Sequence, residues 1–197
     1  KELIDPALAG TRNVLEQATR VDSVQRVFDE TAATEIYTDA AECAENPNGI
    51  LTEDVWNTTA SLDYQPYSYS KTLAERAAWT IAEAQSNWDL VTVNPALVMG
   101  PAIGGRPTSE SFTIMRSVGE GDFRHGAPRI AMGFVDVRDV ARAHLAAGYT
   151  PGAHGRHIIC GHSSNMLDAV QLLQPRFGKD YPIPTRALPK WLVWLLA

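Results

Sequence analysis

The chain has 197 residues, with 17 Lys and Arg against 23 Asp and Glu for a formal charge of −6, and 45% apolar residues. That length suits one domain with a sizeable core, and the composition excludes a disordered or fibrous chain. An acidic chain without a basic stripe argues against nucleic acid as a partner. Two cysteines, Cys43 and Cys160, are too few for a disulfide framework and point to a reducing, cytoplasmic setting. Residues 1–10 lack the apolar core of a secretion signal. The longest apolar run, Trp191 to Ala197, is far shorter than the roughly 20 residues of a bilayer span, so no membrane partner is expected. It reads as a packing or interface helix, with Trp191 and Trp194 on a core stripe. Both ends fall inside helical patterns without caps, and the expectation is a segment of a longer protein.

In chain order, Leu8, Val14, Leu15 and Ala18 recur at helical spacing and predict a helix over residues 6–18, with Pro6 suited to its first turn. Val24, Val27 and Phe28 read as a strand. Residues 40–64 turn to Asn, Pro, Gly, Thr and Asp, predicting a long loop with one helical turn at 53–56. The sequon at Asn57 reads as accidental in a chain without a secretion signal. A strong helix follows from Pro66 to about Ser86, with Leu73, Ala77 and Ile81 on its apolar stripe and Glu75, Arg76 and Glu83 off it. It leads into a β-branched strand at 89–94, then a loop over 95–107, then a helix over 109–118. Strands at 130–135 and 156–160 each precede a helix, over 136–147 and 165–173. Strands alternating with helices predict an α/β fold with a mostly parallel sheet.

The sharpest chemical signal lies at the start of the strong helix. Tyr67 and Lys71 are four residues apart and share one helical face. A phenol ordinarily titrates near 10, and an ammonium beside it favours the phenolate, which suits proton delivery to a carbonyl oxygen. Three motifs extend this signal: PYSYSKTLAERAAW (66–79), DLVTVNPALVMGP (89–101) and FVDVRDVARAH (134–144). Together they resemble the extended short-chain dehydrogenase/reductase family, in its dihydroflavonol reductase, cinnamoyl-CoA reductase and aldehyde/ketone reductase branch. The resemblance runs from GTRNVLE to GRHIIC, nearly the whole chain.

That resemblance implies a Rossmann-like doubly wound parallel sheet with a small substrate lobe: residues 1–100 in the Rossmann-like part, 101–197 as substrate-lobe segments interleaved with the last strands. It implies hydride transfer from NADPH, less so NADH, to an aldehyde or ketone, with Tyr67 as acid/base and Lys71 tuning it and bonding the nicotinamide ribose. Pro95, Ala96, Leu97 and Val98 match the segment that lines the nicotinamide, and the end of a parallel strand is independently where such folds bind ligands. Homodimerisation through helix 66–86 is a possible use of that helix, although the sheet needs the same stripe. The helix from Asp136 through Asp139 to His144 matches a structural helix.

Two departures stand out. Ungapped alignment anchored at Arg26 and Ile36–Tyr37 puts Ala32 where the family's substrate-orienting hydroxyl belongs. Thr31 is the adjacent candidate, given a one-residue backbone shift, and Asp29 and Glu30 replace the apolar end of a central strand, a costly place for unpaired charge. The family's glycine-rich pyrophosphate turn is absent, so the fold is expected to be incomplete, with its amino-terminal cofactor half missing. Alternatives are a nucleotide-sugar epimerase or dehydratase with the same Tyr/Lys chemistry, and a catalytically dead fragment serving as a binding surface.

Other signals are weaker. Gly100–Pro107 resembles a phosphate loop but has Arg106 and Pro107 in place of Lys and Ser/Thr. Gly161–Asn165 lacks the last glycine of a nucleophile elbow. His154, His157, Cys160 and His162 have metal-like composition, but an intervening strand turns His157 and Cys160 to opposite faces, and no metal is expected. Arg124 and His125 fall in a Gly-rich loop, residues 119–126, suited either to covering a substrate or to facing solvent.

Overall fold

The computed structural model describes residues 3–105 and 108–196, without the side chains of Trp194 and Leu196. The phosphate-loop reading at Arg106 and Pro107 and the Trp194 half of the tryptophan stripe therefore lie outside the described residues. In chain order the elements are α1 (Ile4–Thr19), β1 (Arg26–Glu30), α2 (Pro66–Glu83), β2 (Asp89–Pro95), β3 (Leu97–Met99) and α3 (Glu110–Glu120). They continue with β4 (Ala131–Asp136), α4 (Val137–Tyr149), β5 (Gly155–Ile159), β6 (His162–Asn165), α5 (Met166–Gln171), α6 (Gln174–Phe177) and α7 (Lys190–Leu196). They form two compact units: Lys1–Ala96 with Arg138–Ile159, and Leu97–Val137 with Cys160–Ala197.

The first unit is organised by β2, which lies between β1 and β5 with both pairings parallel. Every residue of β2 after Asp89 is buried, as expected of a parallel strand covered on both faces. Alternation along the strand sorts its side chains. Leu90 packs with Leu15 of α1, Ala78 of α2 and Trp88, whereas Val91 and Val93 pack with Ala147 and Ala143 of α4. Helices thus cover the two faces of a Rossmann-like, doubly wound sheet.

The second unit pairs β3 with β4 in parallel and β4 with β6 in antiparallel register. Its core joins Val118 of α3, Met166 and Val170 of α5, and Ile183. Met99, Met115, Phe134 and Leu173 line an apolar cavity of about 560 Å³ within this unit, with His162, Ser164 and Asp168 as its polar lining.

Three sequence expectations are corrected. Leu97–Met99 and His162–Asn165 are strands; each is short, and the surrounding Pro, Gly and Ser obscure the period-2 pattern. Residues 53–56 form no helix but a single hydrogen-bonded turn, Val55 N–H donating to Thr52 O at 3.1 Å, and Glu53 and Val55 give their carbonyls to Arg156 Nη1 at 2.8 and 2.6 Å. Helical turns of the 3₁₀ type occur instead at Ala40–Glu45 and Pro47–Gly49. Finally, α2 buries Ser68, Ser70, Thr72, Glu75 and Ala78 rather than the Leu73–Ala77–Ile81 stripe. The sheet face opposite it carries Thr92, Asn94 and Arg156, so polar helix positions find partners there.

No described helix is long and apolar enough to cross a membrane. Leu90→Ala removes a side chain from the centre of the first core and should cost about 2–5 kcal/mol. Ile103→Ala, on a fully exposed loop position, should stay within about 0.5 kcal/mol. Urea unfolding of the two variants measures both.

Candidate active site

Proline at the first position of α2 pre-sets the helical φ, and Gln65 before it adopts a left-handed conformation with φ 54°. Tyr67 and Lys71 then stand one above the other over a cavity of about 250 Å³. The same cavity is walled by Asp29, Glu30 and Thr31 at the end of β1, by Glu35, and by Ala7 and Thr11 of α1. Tyr67 is 52% exposed, so the cavity opens to solvent beside the phenol. No hydrogen bond among the described residues ties down the Tyr67 hydroxyl or the Lys71 ammonium.

Beneath this pair lies a buried polar network. Glu75, one turn beyond Lys71, takes two charge-assisted bonds from Arg156, Nε to Oε1 and Nη2 to Oε2, each 2.9 Å. The Thr92 hydroxyl donates to Glu75 Oε1 at 2.8 Å, and Asn94 Nδ2 to Oε2 at 3.2 Å. Burial pushes the Glu75 carboxyl up, but hydrogen bonds to Glu35, Arg156 and Thr92 and the Arg156 charge outweigh this, and it sits below its ordinary range. Arg156 also lies over the Trp56 ring at 3.8 Å, with Arg76 over the same ring at 4.4 Å.

Glu35 is the second buried carboxyl. Its Oε2 accepts from Asn94 Nδ2 at 3.0 Å, Oε1 receives no hydrogen bond, and the acid's own O–H is turned to Glu75. Burial first, then the hydrogen bond to Glu75 and the Glu75 charge, push Glu35 up to about 10, so it is a neutral acid at pH 7. Asp29 is also raised by burial, in part offset by the positive charge of Lys71.

Thr31 is buried in the cavity wall. Its hydroxyl donates to Val93 O at 3.2 Å and accepts from Asn94 Nδ2 at 2.6 Å. Ala32, at the ungapped position, is extended and carries no donor side chain. Pro95 ends β2 opposite Ile159, and Ala96 N donates to Ile159 O at 3.0 Å. Leu97 and Val98 belong to β3 in the second unit. Tyr67, Lys71 and Thr31 therefore share one cavity.

Sequence reasoning missed Glu35 and Glu75 as parts of this site. A polar residue on the inward face of α2, facing a strand with Thr and Asn at alternate positions, was the available signal. Among the described residues no group of three His, Cys, Asp or Glu is arranged to hold a metal ion. His157 Nε2 instead lies 3.1 Å from His154 O. His125 accepts from Arg124 Nε at 3.2 Å.

The NAD dependent epimerase/dehydratase family matches residues 1–161. The chain belongs to that family. It is 33% identical over 179 residues to cinnamoyl-CoA reductase CAD2 of Medicago truncatula, covering 88% of this chain and 52% of the relative. It is 32% identical over 194 residues to tetraketide alpha-pyrone reductase 2 of Arabidopsis thaliana, covering 95% and 57%. Among solved structures, yeast methylglyoxal/isovaleraldehyde reductase Gre2 complexed with NADPH matches with a TM-score of 0.76 and 28% identity, over 92% of this chain and 57% of that one. The chain spans about half the length of the curated relatives it matches.

Two predictions follow from the buried carboxyls. Arg156→Ala strands the Glu75 charge and should cost about 3–5 kcal/mol in denaturant unfolding. The pH dependence has two arms. Glu75, lowered on folding, contributes stability above its ordinary value of 4.5 that is lost as pH falls through its folded value. Glu35, raised on folding, has its contribution in full below 4.5 and loses it as pH rises toward about 10. Stability should therefore peak in mildly acidic solution and decline above it by up to about 1.4 kcal/mol per pH unit. Glu35→Gln should flatten that alkaline decline, as unfolding measured from pH 5 to 9 (roughly the window between the two values) would reveal.

Proposed function

We propose that the chain carries the catalytic side of an NADPH-dependent reductase that converts an aldehyde or ketone to an alcohol. The observation that carries this reading is the Tyr67–Lys71 pair, one turn apart on α2 and lining one solvent-open cavity. Support comes from the reductases to which the chain is similar, one of them solved with NADPH.

The residues present fit the nicotinamide end of the dinucleotide. An ammonium without an internal hydrogen bond, Lys71, is available for ribose hydroxyls. Pro95 and Ala96 follow the carboxyl end of a parallel strand, and we assign Pro95, Ala96, Leu97 and Val98 to the nicotinamide. NADPH, when bound, supplies the hydride. Tyr67 gives its phenolic proton to the carbonyl oxygen as negative charge develops there, and Lys71 supplies the positive charge beside the phenol. Thr31 takes the role of the hydroxyl that orients the carbonyl: its oxygen is held by Asn94 and its O–H turns from Val93 O to the substrate.

The substrate in this reading is a small carbonyl compound. A nucleotide-sugar epimerase would use the same pair without net consumption of cofactor. The test is NADPH oxidation by the purified protein with aldehydes and ketones, followed by absorbance. Tyr67→Phe should lower turnover by about 10²–10⁴ while leaving NADPH binding, read by fluorescence, within a few-fold. Turnover of Tyr67→Phe at the wild-type rate would overturn the assignment. Interconversion of sugar nucleotides without cofactor loss would favour the epimerase.

A further inference from the structure

The Thr31 hydroxyl has one proton, and a carbonyl oxygen can only accept one. The hydroxyl can orient a carbonyl only while no neighbouring acceptor in the protein holds that proton firmly. Resting on the reductase reading above, we propose that Asn94 is the positioning residue that keeps Thr31 a donor. The Glu35–Glu75 pair fixes which end of the Asn94 amide faces it.

Each link in this relay is a direct contact. Asn94 Nδ2 donates to Thr31 Oγ1 at 2.6 Å and to Glu35 Oε2 at 3.0 Å, and lies 3.2 Å from Glu75 Oε2. The two amide hydrogens therefore have Thr31 and Glu35 as their nearest acceptors. Glu75 is held as an anion by Arg156 Nε and Nη2, each at 2.9 Å, so it has no proton to offer Asn94. Glu35 turns its own O–H to Glu75 and meets Asn94 as an acceptor. A reversed amide would aim Oδ1 at both carboxyl groups, oxygen against oxygen, in a buried place where such a mismatch is costly. It would also take the Thr31 proton for itself. The two carboxyls thus select the orientation in which Asn94 gives a hydrogen to Thr31.

With Asn94 on its lone pair, the Thr31 O–H points to Val93 O at 3.2 Å. That carbonyl also accepts the Thr31 backbone N–H at 2.9 Å. Turning the hydroxyl toward a substrate therefore leaves Val93 O still paired, and no buried acceptor is orphaned. Thr31 lines the cavity shared by Tyr67 and Lys71, so the released O–H has the candidate site within its swing. The hydroxyl absent at Ala32 is replaced at a neighbouring position that the Asn94 amide reaches.

Asn94→Asp copies the reversed amide, keeping the shape and setting an oxygen against Thr31. Asn94→Leu removes the donor and adds no acid, so it carries the same test if the buried acid prevents folding. The assay uses NADPH and whichever aldehyde the wild-type protein turns over fastest. Thr31→Val and Asn94→Asp should each lower kcat by about 10²–10³, and Asn94→Leu by about tenfold. NADPH affinity should stay within a few-fold in all three. In the Thr31→Val background neither Asn94 substitution should lower kcat further, because the group it acts through is gone. Losses that multiply in the double variants belong to a merely structural Asn94 and overturn the proposal. Wild-type kcat in Asn94→Leu overturns it as well. A second readout needs no turnover: Thr31→Val should shift the Asn94 carboxamide protons in NMR spectra, and unshifted protons contradict the relay. The Tyr67 reading fails on a different variant, Tyr67→Phe at the wild-type rate, whatever the Asn94 cycle gives.

Discussion

The pair of Glu75 and Arg156 joins a helix, a strand and a loop that are far apart in sequence. Arg156 lies on β5, Glu75 on α2, and the carbonyls of Glu53 and Val55 complete the guanidinium's bonds. Taking both charges out of water costs several kcal/mol per ion, and the pair persists because nearly every donor and lone pair is used. Arginine's planar fork meets the carboxylate on two bonds at once, and Trp56 lies beneath its face. Since Glu75 lies four residues beyond Lys71 and eight beyond Tyr67, fixing Glu75 against the sheet fixes the direction in which both project. The candidate site is thus aimed from below, by a carboxylate wholly withdrawn from solvent and a guanidinium nearly so.

The long connection from β1 to α2 is ordered by similar means. Asn57, at the glycosylation sequon, is buried and bonded on both ends of its amide: Nδ2 donates to Thr34 O at 2.7 Å, while Oδ1 accepts from the Thr38 hydroxyl and from the backbone of Thr59 and Ala60. Its own N–H donates to Glu35 O at 2.8 Å. A side chain that satisfies so many buried groups substitutes for the hydrophobic packing this Asn-, Thr- and Asp-rich stretch lacks. It also ties the backbone of Glu35 to the loop that feeds α2.

What the sequence made legible follows from the range of the interactions. The helices at Ile4–Thr19, Pro66–Glu83 and Val137–Tyr149 and the strand at Asp89–Pro95 rest on local periodicity, and Tyr67 and Lys71 meet through one turn of helix. Leu97–Met99 and His162–Asn165 become strands only by pairing with β4, which no local pattern encodes. The burial of Glu75 depends on Arg156, 81 residues away, and on Thr92 and Asn94 of a neighbouring strand. A glutamate among alanines on a helix reads as solvent-facing until its counter-charge is placed. Glu35 is harder still, because its environment comes from β2, α2 and a loop together.

The acidic end of β1 looks costly in one dimension, where Asp29 and Glu30 replace apolar residues of a central strand. In three dimensions the strand's alternation separates them. Asp29 is on the side of Lys71, whose charge opposes the effect of its burial, and Glu30 Oε2 lies 3.4 Å from His144 Nε2 of α4. Phe28 meets the same histidine ring edge-on at 5.7 Å, so this face of β1 is anchored to α4 by both an apolar and a polar contact. Each acid thus has a basic group on its own side. The wall that results sets Lys71 as the cation among Asp29, Glu35 and Glu75, of which Glu35 is neutral at pH 7 and Glu75 is matched by Arg156. The charge of the cavity therefore turns on Lys71 against Asp29 and Glu30, and the sequence departure at β1 acts on the same helix face that carries the candidate chemistry.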